Sequence, residues 1–506
     1  MRYGFAIDQR TCIGCHACTV ACKTEHEVPV GQFRTWVKYV DSGTFPNSTR
    51  SFGVMRCNHC TNAPCIKICP TGALFKRPDG IVDFNADDCI GCKSCMQACP
   101  YDALYIDADT HTAAKCNFCA HRVDAGLEPA CVSVCPTHSI WVGDLDDEES
   151  GIARLIGSNV TAVRGPEHNT EPNVFYLGAD QAVLDPLAAP VDKTYLWARP
   201  DTQRLRAAVD LASTATEART TLNTAHDRPW GWRVIGYTWT KGVAAGVLAL
   251  AGVVQLLAMS LGVSQAVVPA TALGLAAITG ILLVWDLKRP ERFLYIFLKS
   301  NLSSWLVWGA YALTGLSAVA LVWLLTVLPG IGGGFRDVLA WLAIFIGAIA
   351  AGYTGLLFGQ AKGRDLWQSP LLFWHLLVQA TMAGAGVLLV LAAIAGSPVE
   401  TVALVVRVLV AAAAMHLVVL VIEHAGRHGT RHAQVATRII ARGRYARLFW
   451  AGAVAPTVIS LVLAAALGWD GGGVTPAMVV AGLLVQVSVL AYETVFVWAG
   501  QDVPLS

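Results

Sequence analysis

The chain has 506 residues, 54% of them hydrophobic and only 14% charged, well under the quarter usual in soluble proteins. A formal net charge of +1 removes the electrostatic case for nucleic acid or any strongly charged partner. The average hides a split: residues 1 to about 230 carry ordinary charge, and the remainder is a nearly unbroken series of apolar runs.

The N-terminus, MRYGFAIDQRTC, has no apolar stretch, and no Arg-Arg pair occurs anywhere, so no export signal is expected. All sixteen cysteines lie between Cys12 and Cys135. They form four groups: Cys12, Cys15, Cys18 and Cys22; Cys57, Cys60, Cys65 and Cys69; Cys89, Cys92, Cys95 and Cys99; and Cys116, Cys119, Cys131 and Cys135. Four thiolates per cluster make this the complement of four [4Fe–4S] clusters. The first and third groups read C-x2-C-x2-C-x3-C, and three groups close with Cys-Pro. Zinc ribbons also use C-x2-C pairs, but rarely three close cysteines with a fourth three residues on. A disulfide framework suits short secreted chains instead.

The segment contains a repeat. TCIGCHACTVACK at 11–23 echoes DCIGCKSCMQACP at 88–100, and the group at 57–74 echoes that at 116–140. Two ferredoxin-like modules are therefore interleaved. The runs at 73–75, 80–84 and 103–106 suit small hairpins, and short helices are expected after the third cysteine of each group. His16, His26, His59, His111, His121 and His138 lie nearby, but the ligand count is complete without them. Lys67, Lys93 and Lys115 adjoin ligands and either offset cluster charge or are solvated.

This pattern resembles the four-cluster electron-transfer subunits of the molybdopterin oxidoreductases, over residues 1 to about 180. The resemblance implies four ligand sets. They are Cys12, Cys15, Cys18 and Cys135; Cys22, Cys116, Cys119 and Cys131; Cys57, Cys60, Cys65 and Cys99; and Cys69, Cys89, Cys92 and Cys95. It also implies a separate catalytic subunit of the molybdopterin type.

Residues 181–230 read as a linker, with helical character at 201–224 packed on the first half or on the membrane surface. From Trp230 the apolar runs have membrane-spanning length. Spans are expected near 235–262, 266–286, 302–328, 338–359, 371–395, 399–423, 448–468 and 474–498. Gly246, Gly252, Gly274, Gly315, Gly347, Gly352 and Gly386 would let helices approach. The tryptophans at 230, 232, 285, 374, 450 and 498 suit an interfacial belt. Basic residues crowd the loops on the N-terminal side: Lys288, Arg289, Arg292 and Lys299; Lys362 and Arg364; Arg427, Arg431, Arg438, Arg442, Arg444 and Arg447. The other side has Arg336. The bias places the cysteine-rich half in the cytoplasm and the spans in the cytoplasmic membrane.

This half resembles the NrfD/polysulfide-reductase-type quinone-reactive subunit, through Trp230-Gly231-Trp232, Tyr237-Thr238-Trp239, Gly242 to Gly246 and Asp286 to Phe293. The resemblance implies eight spans and a quinone (menaquinone or ubiquinone) bound near the cluster side. Lys241 departs from the small residue common there. Ionisable groups inside spans are costly and mark function or a helix end. Tyr353, His375 and Lys241 are the candidate carbonyl partners; Asp286, Glu423 and Glu493 are candidate proton carriers. Arg407 and His416 lie deeper in the sixth span, as a buried polar network or proton path or as simple structural pairing.

The reading is an α+β ferredoxin-like domain (1–180), a linker (181–230) and an all-α bundle of eight transmembrane helices (231–506). It would carry electrons between a catalytic subunit and a membrane quinone. The competing reading is a ferredoxin-coupled ion transporter with Arg407 and the carboxylates along its path.

Overall fold

The structure is a computed structural model that describes residues 1–190, 218–224, 226–262, 264–328, 333–426, 429–468 and 475–506. The helix expected from position 201 lies outside the described residues up to 217. The described end of that segment is a strand instead.

In the first half, β1 (Tyr3–Asp8) pairs antiparallel with β8 (Ile140–Asp144) and parallel with β10 (Val174–Leu177). Strand β9 (Thr161–Ala162) completes that sheet in the order β8-β1-β10-β9. Phe5 and Ile7 point from β1 into the core and are fully buried with Val174 and Tyr176. A long hairpin, β2 (Thr35–Thr44) and β3 (Asn47–Arg56), takes β11 (Arg219–Leu222) on its free edge. The stretch before the membrane therefore belongs partly to this half. Ala182, Val183 and Ala218 pack on Trp36, Val40 and Met55 of the hairpin.

The small hairpins form as expected: β4 (Leu74–Lys76) with β5 (Val82–Phe84), and β6 (Leu104–Ile106) with β7 (Ala113–Lys115). The short helices begin one residue before the third cysteine of each group rather than after it. They are Ala17–Glu25, Pro64–Ile68, Ser94–Ala98 and Ala130–Ser133.

Eight helices among the described residues are long and apolar enough to cross a membrane. They are Trp232–Leu256, Val267–Asp286, Trp305–Leu325, Arg336–Gln360, Leu372–Ala395, Val399–Ala425, Leu448–Ala466 and Pro476–Asp502. Glycines set the closest crossings. A Cβ on Gly246 would lie 1.8 Å from Ala380 O, and one on Gly386 2.6 Å from Gly482 O. Gly274, expected at such a crossing, faces open space.

The loop between the sixth and seventh spans contains a helix, Arg431–Ala441, that buries Ala433, Ala436, Ile439 and Ile440 on one face. Trp232, Trp285, Trp374 and Trp450 are exposed at span ends, as a belt requires. Trp230 is not part of it. It is buried and stacked on Trp367 and Phe358, with ring centroids 5.4 and 5.6 Å away.

The basic loops lie against the cysteine-rich half. Arg289 donates to Thr110 O (2.8 Å), Arg292 to Ala86 O (2.7 Å) and Arg364 to the Gln97 side chain (2.7 Å). Lys299 pairs with Asp88, and Arg431 with Asp185 at 2.9 Å. Arg427 lies outside the described residues.

Candidate electron-transfer and quinone sites

The sequence repeat is a backbone repeat. Gly14 and Gly91 occupy equivalent places with φ of 67° and 68°, and the next-but-one residues His16 and Lys93 are left-handed at 61° and 64°. Only a residue tolerant of positive φ turns the chain tightly enough there to aim three thiols at one point. His59 and Phe118 repeat this in the other pair of groups, at 43° and 66°.

Cysteines from different groups lie close enough to act on one another electrostatically. Cys12 has Cys15 and Cys135 as electrostatic neighbours, and Cys22 has Cys116, Cys119 and Cys131. Cys65 has Cys57, Cys60 and Cys99, and Cys92 has Cys69 and Cys89. The expected sets also adjoin one another in order. Cys18 of the first neighbours Cys131 of the second, Cys116 of the second neighbours Cys57 of the third, and Cys95 of the fourth neighbours Cys65 of the third. The first set reaches the surface at Cys15, which is exposed. The fourth meets the membrane half. Asn301 donates to Cys69 O (2.8 Å), Arg292 to Cys89 O (3.1 Å) and Trp230 to Cys92 O (3.4 Å).

The surroundings fit anionic clusters. Burial pushes the thiols of Cys18, Cys92, Cys99 and Cys119 up to about 12. Such thiols ionise only with strong compensation, and iron supplies it on binding. Arg56 is fully buried with Nη1 3.3 Å from Cys131 Sγ, while its Nε and Nη2 have no partner among the described residues. A guanidinium left open inside a protein needs a negative group; a cluster beside Cys131 provides one. His26 Nε2 lies 3.1 Å from Cys119 Sγ, beside a ligand and not in its place. Among the described residues no group of three or more His, Cys, Asp or Glu is set to hold a single metal ion.

In the membrane half the candidates divide into two groups. Lys241 donates to Ala351 O (3.1 Å) and Thr354 Oγ1 (2.5 Å), and its ammonium sits 4.6 Å from the Tyr353 ring centroid. Glu493 is its charged neighbour. Gly309 makes room for this group, since a Cβ there would lie 2.1 Å from the Tyr353 ring. Tyr237 adjoins both this group and the fourth cysteine set: its electrostatic neighbours are Tyr353, Asp286, Glu493 and Cys92. Asp286 ends the second span and pairs with Lys93 at 2.8 Å.

His375 stands elsewhere. Its Nδ1 lies 3.0 Å from Glu423 Oε2 and its Nε2 2.9 Å from His416 Nδ1. Tyr492 donates to Glu423 at 2.9 Å. Arg407, expected deep in a polar network, is exposed on the outer face of its helix. Reading the sequence missed Tyr492, and missed Trp230 and Tyr237 as contacts to the fourth set. Their one signal was aromatic density near span ends.

Residues 49–145 match a 4Fe–4S dicluster domain, and residues 220–504 match the family described as polysulphide reductase, NrfD. The first half is similar to a tetrathionate reductase subunit of Salmonella typhimurium, 46% identical over 190 residues, 37% of this chain and 76% of that protein. It is similar to a polysulfide reductase component of Wolinella succinogenes, 41% identical over 177 residues, 34% of this chain and 93% of that protein. It is similar to the arsenate respiratory reductase iron–sulfur subunit of a Shewanella species, 36% identical, covering 35% of this chain and 96% of that protein.

Proposed function

The protein belongs to the polysulphide reductase NrfD family and carries an iron–sulfur electron-transfer domain ahead of its multi-pass membrane anchor, and on that premise we propose that it connects a molybdopterin-type catalytic subunit to a membrane quinone through four [4Fe–4S] clusters. Bound clusters would supply one-electron carriers. The protein's own residues arrange the path. Residues 1–190 and 218–224 hold the ligands, and residues from Trp230 onward form the anchor.

The observation that carries the reading is the succession of adjoining cysteine sets. It opens at exposed Cys15 and closes at Cys92, beside Tyr237 of the first span. A catalytic subunit fits at the Cys15 end. At the other end, Lys241, Tyr353 and Glu493 suit a quinone headgroup: two donors for the carbonyls and one carboxylate for a proton. A quinone takes two electrons and two protons to become a quinol. Lys241 and Tyr353 would hold the oxygens where the protons arrive.

The iron–sulfur half is assigned to the cytoplasm and the spans to the cytoplasmic membrane. Arg289, Arg292, Lys299, Arg364 and Arg431 also bind the first half. The support for orientation therefore rests on the other basic loop residues, Arg438, Arg442 and Arg447 among them. Reporter fusions at Ser506 and at Ser397 should give opposite signals, and a periplasmic signal at Ser506 overturns this.

The test of the quinone reading is a single-turnover mixing experiment. The full-length protein, loaded with iron and sulfide and reduced with dithionite, is mixed with a soluble naphthoquinone. Cluster absorbance should recover within seconds. Tyr353→Phe should slow recovery at least tenfold, and ferricyanide should reoxidise both proteins alike. No recovery with any quinone sinks the reading.

A further inference from the structure

We propose that Asp365, Glu423, His375 and His416 form a proton relay from the cleft beneath the iron–sulfur half into the membrane bundle. The proposal rests on the quinone reading, because quinone reduction consumes two protons and quinol oxidation returns them. None of the four belongs to the Lys241, Tyr353 and Glu493 group.

The outer end is a cleft of about 630 Å³ lined by Glu167, His168, Lys362 and Asp365. A second cavity, of about 330 Å³, runs inward to Glu423 and Tyr492. Asp365 and Gln368 line both. The two cavities therefore adjoin at these side chains. Asp365 Oδ1 stands 3.8 Å from His168 Nδ1. Its Oδ2 is buried with no partner among the described residues. A water occupies about 30 Å³ in the liquid, so the inner cavity has room for a chain of waters between the two carboxylates.

The inner end is a direct series of hydrogen bonds. Glu423 Oε1 faces Ser369 Oγ at 3.5 Å, and Glu423 Oε2 faces His375 Nδ1 at 3.0 Å. His375 Nε2 faces His416 Nδ1 at 2.9 Å. Both imidazoles are fully buried. Tyr492 packs its ring on both, at 4.9 and 5.7 Å, and holds Glu423 through its hydroxyl. A neutral imidazole accepts a proton at one nitrogen and releases one from the other. A proton given by Glu423 to Nδ1 of His375 thus leaves from Nε2 to Nδ1 of His416, which returns His375 to neutral; His416 returns to neutral when its own Nε2 gives a proton to a water deeper in the bundle, and Glu423 is reprotonated from the cleft.

The series is open at its far end. His416 Nε2 has no partner among the described residues, nor has Gln379 Oε1, one helical turn deeper than His375. A network built only for stability closes its last buried nitrogen, because an unmade hydrogen bond there is costly. Counted from the end of its helix at Ala425, His416 lies roughly 13 Å into the bundle at 1.5 Å per residue. The relay therefore leads inward from the cleft to a depth that side chains at the surface do not reach.

Two measurements on the full-length protein test this. In the first, cluster-loaded protein in liposomes is reduced and mixed with a naphthoquinone, with a pH dye reporting proton uptake. Glu423→Gln keeps the shape and removes the proton carrier. Uptake and quinol formation should slow at least tenfold, Glu423→Asp should recover most of the rate, and ferricyanide reoxidation should not change. Parental rates in both Glu423→Gln and His416→Gln overturn the relay. Loss of quinone binding in Glu423→Gln also overturns it, by placing Glu423 in the headgroup site. The second measurement uses no quinone. Nitrogen-15 histidine NMR follows deuterium exchange at the rings of His375 and His416, assigned with their glutamine variants. The rings should exchange faster than neighbouring buried amides, and at least tenfold slower in Glu423→Gln. If exchange behaves so while no quinone is reduced, the quinone reading falls and the relay stands. Rings protected in the parent protein overturn the relay itself.

Discussion

Replacing Arg56 by methionine should lower the potential of the cluster proposed at Cys22, Cys116, Cys119 and Cys131. Arg56 sits at the end of β3, fully buried, with Nη1 3.3 Å from Cys131 Sγ and its guanidinium 4.3 Å from the Phe5 ring centroid. Burial alone would disfavour its charge, yet Cys131, Cys116 and Cys18 hold it above the ordinary arginine value. An electron added to a cubane ligated by Cys131 would lie roughly 6 Å from the guanidinium, a working distance for the Coulomb estimate. At an effective dielectric of about 20, the attraction is about 3 kcal/mol. At 59 mV per factor of ten for one electron, that is on the order of 100 mV. The cluster of Cys12, Cys15, Cys18 and Cys135 should fall by less, since only Cys18 of that set is near. An EPR-monitored redox titration reads both potentials. Arg56→Lys, which keeps the charge, should move them by a smaller amount. A shift under about 20 mV, or an upward one, refutes the reasoning from.

Much of this was legible in the cysteines because ligation is local chemistry. Three thiols must reach one cluster from a single tight turn, so the spacing and Gly14 and Gly91 are written side by side. Span length is likewise set by one outside dimension, the bilayer, and the eight expected spans agree with the helices to within a few residues at most ends. What depends on direction around a helix was not legible. Lys241, Tyr353 and His375 were expected together because they share a depth. Depth follows from counting residues, but the facing side does not. His375 turns to Glu423 and His416, 48 and 41 residues away in sequence. Strand β11 was hidden for a similar reason: Arg219 to Leu222 carries no strong pattern, and its form is set by the edge of β2 that it completes. Arg431–Ala441 read as a basic loop because its charges are dense, although Ala433, Ala436 and Ile440 mark a buried face at helical spacing.

Iron analysis should find about sixteen atoms per protein molecule, from four per cluster, and Cys95→Ser should lose or convert the fourth cluster while the membrane half stays folded. Iron near eight per molecule, or stoichiometric zinc, contradicts the ligand sets. Lys38 is fully buried on β2, and burial lowers it to about 7. The unfolded state therefore binds its proton up to a higher pH than the folded one, so this lysine's contribution improves as pH rises above about 7. Lys38→Met should stabilise the first half by on the order of 3 kcal/mol near pH 7 and less towards pH 10, read as the midpoint of cluster-absorbance loss in denaturant; an effect constant across that range refutes it. The last prediction concerns the ion pair that crosses between the halves. Lys93 Nζ lies 2.8 Å from Asp286 Oδ2, with both side chains largely buried at 8% and 13% exposure. Lys93 directly follows Cys92, so the pair joins a ligand turn to the end of the second span. Removing one partner leaves the other charge out of water, a loss of about 3 kcal/mol in comparable buried pairs. Lys93→Met and Asp286→Leu should each weaken the protein by that order. The double variant should cost much less than the sum, because neither charge remains. The halves should stay joined, since Ser304 still donates to Ile68 O at 2.7 Å and Asn301 to Cys69 O at 2.8 Å. Strictly additive losses would show that the two charges do not depend on each other, and that the contact between ligand turn and membrane half is held by its other bonds, Arg292 to Cys89 O among them.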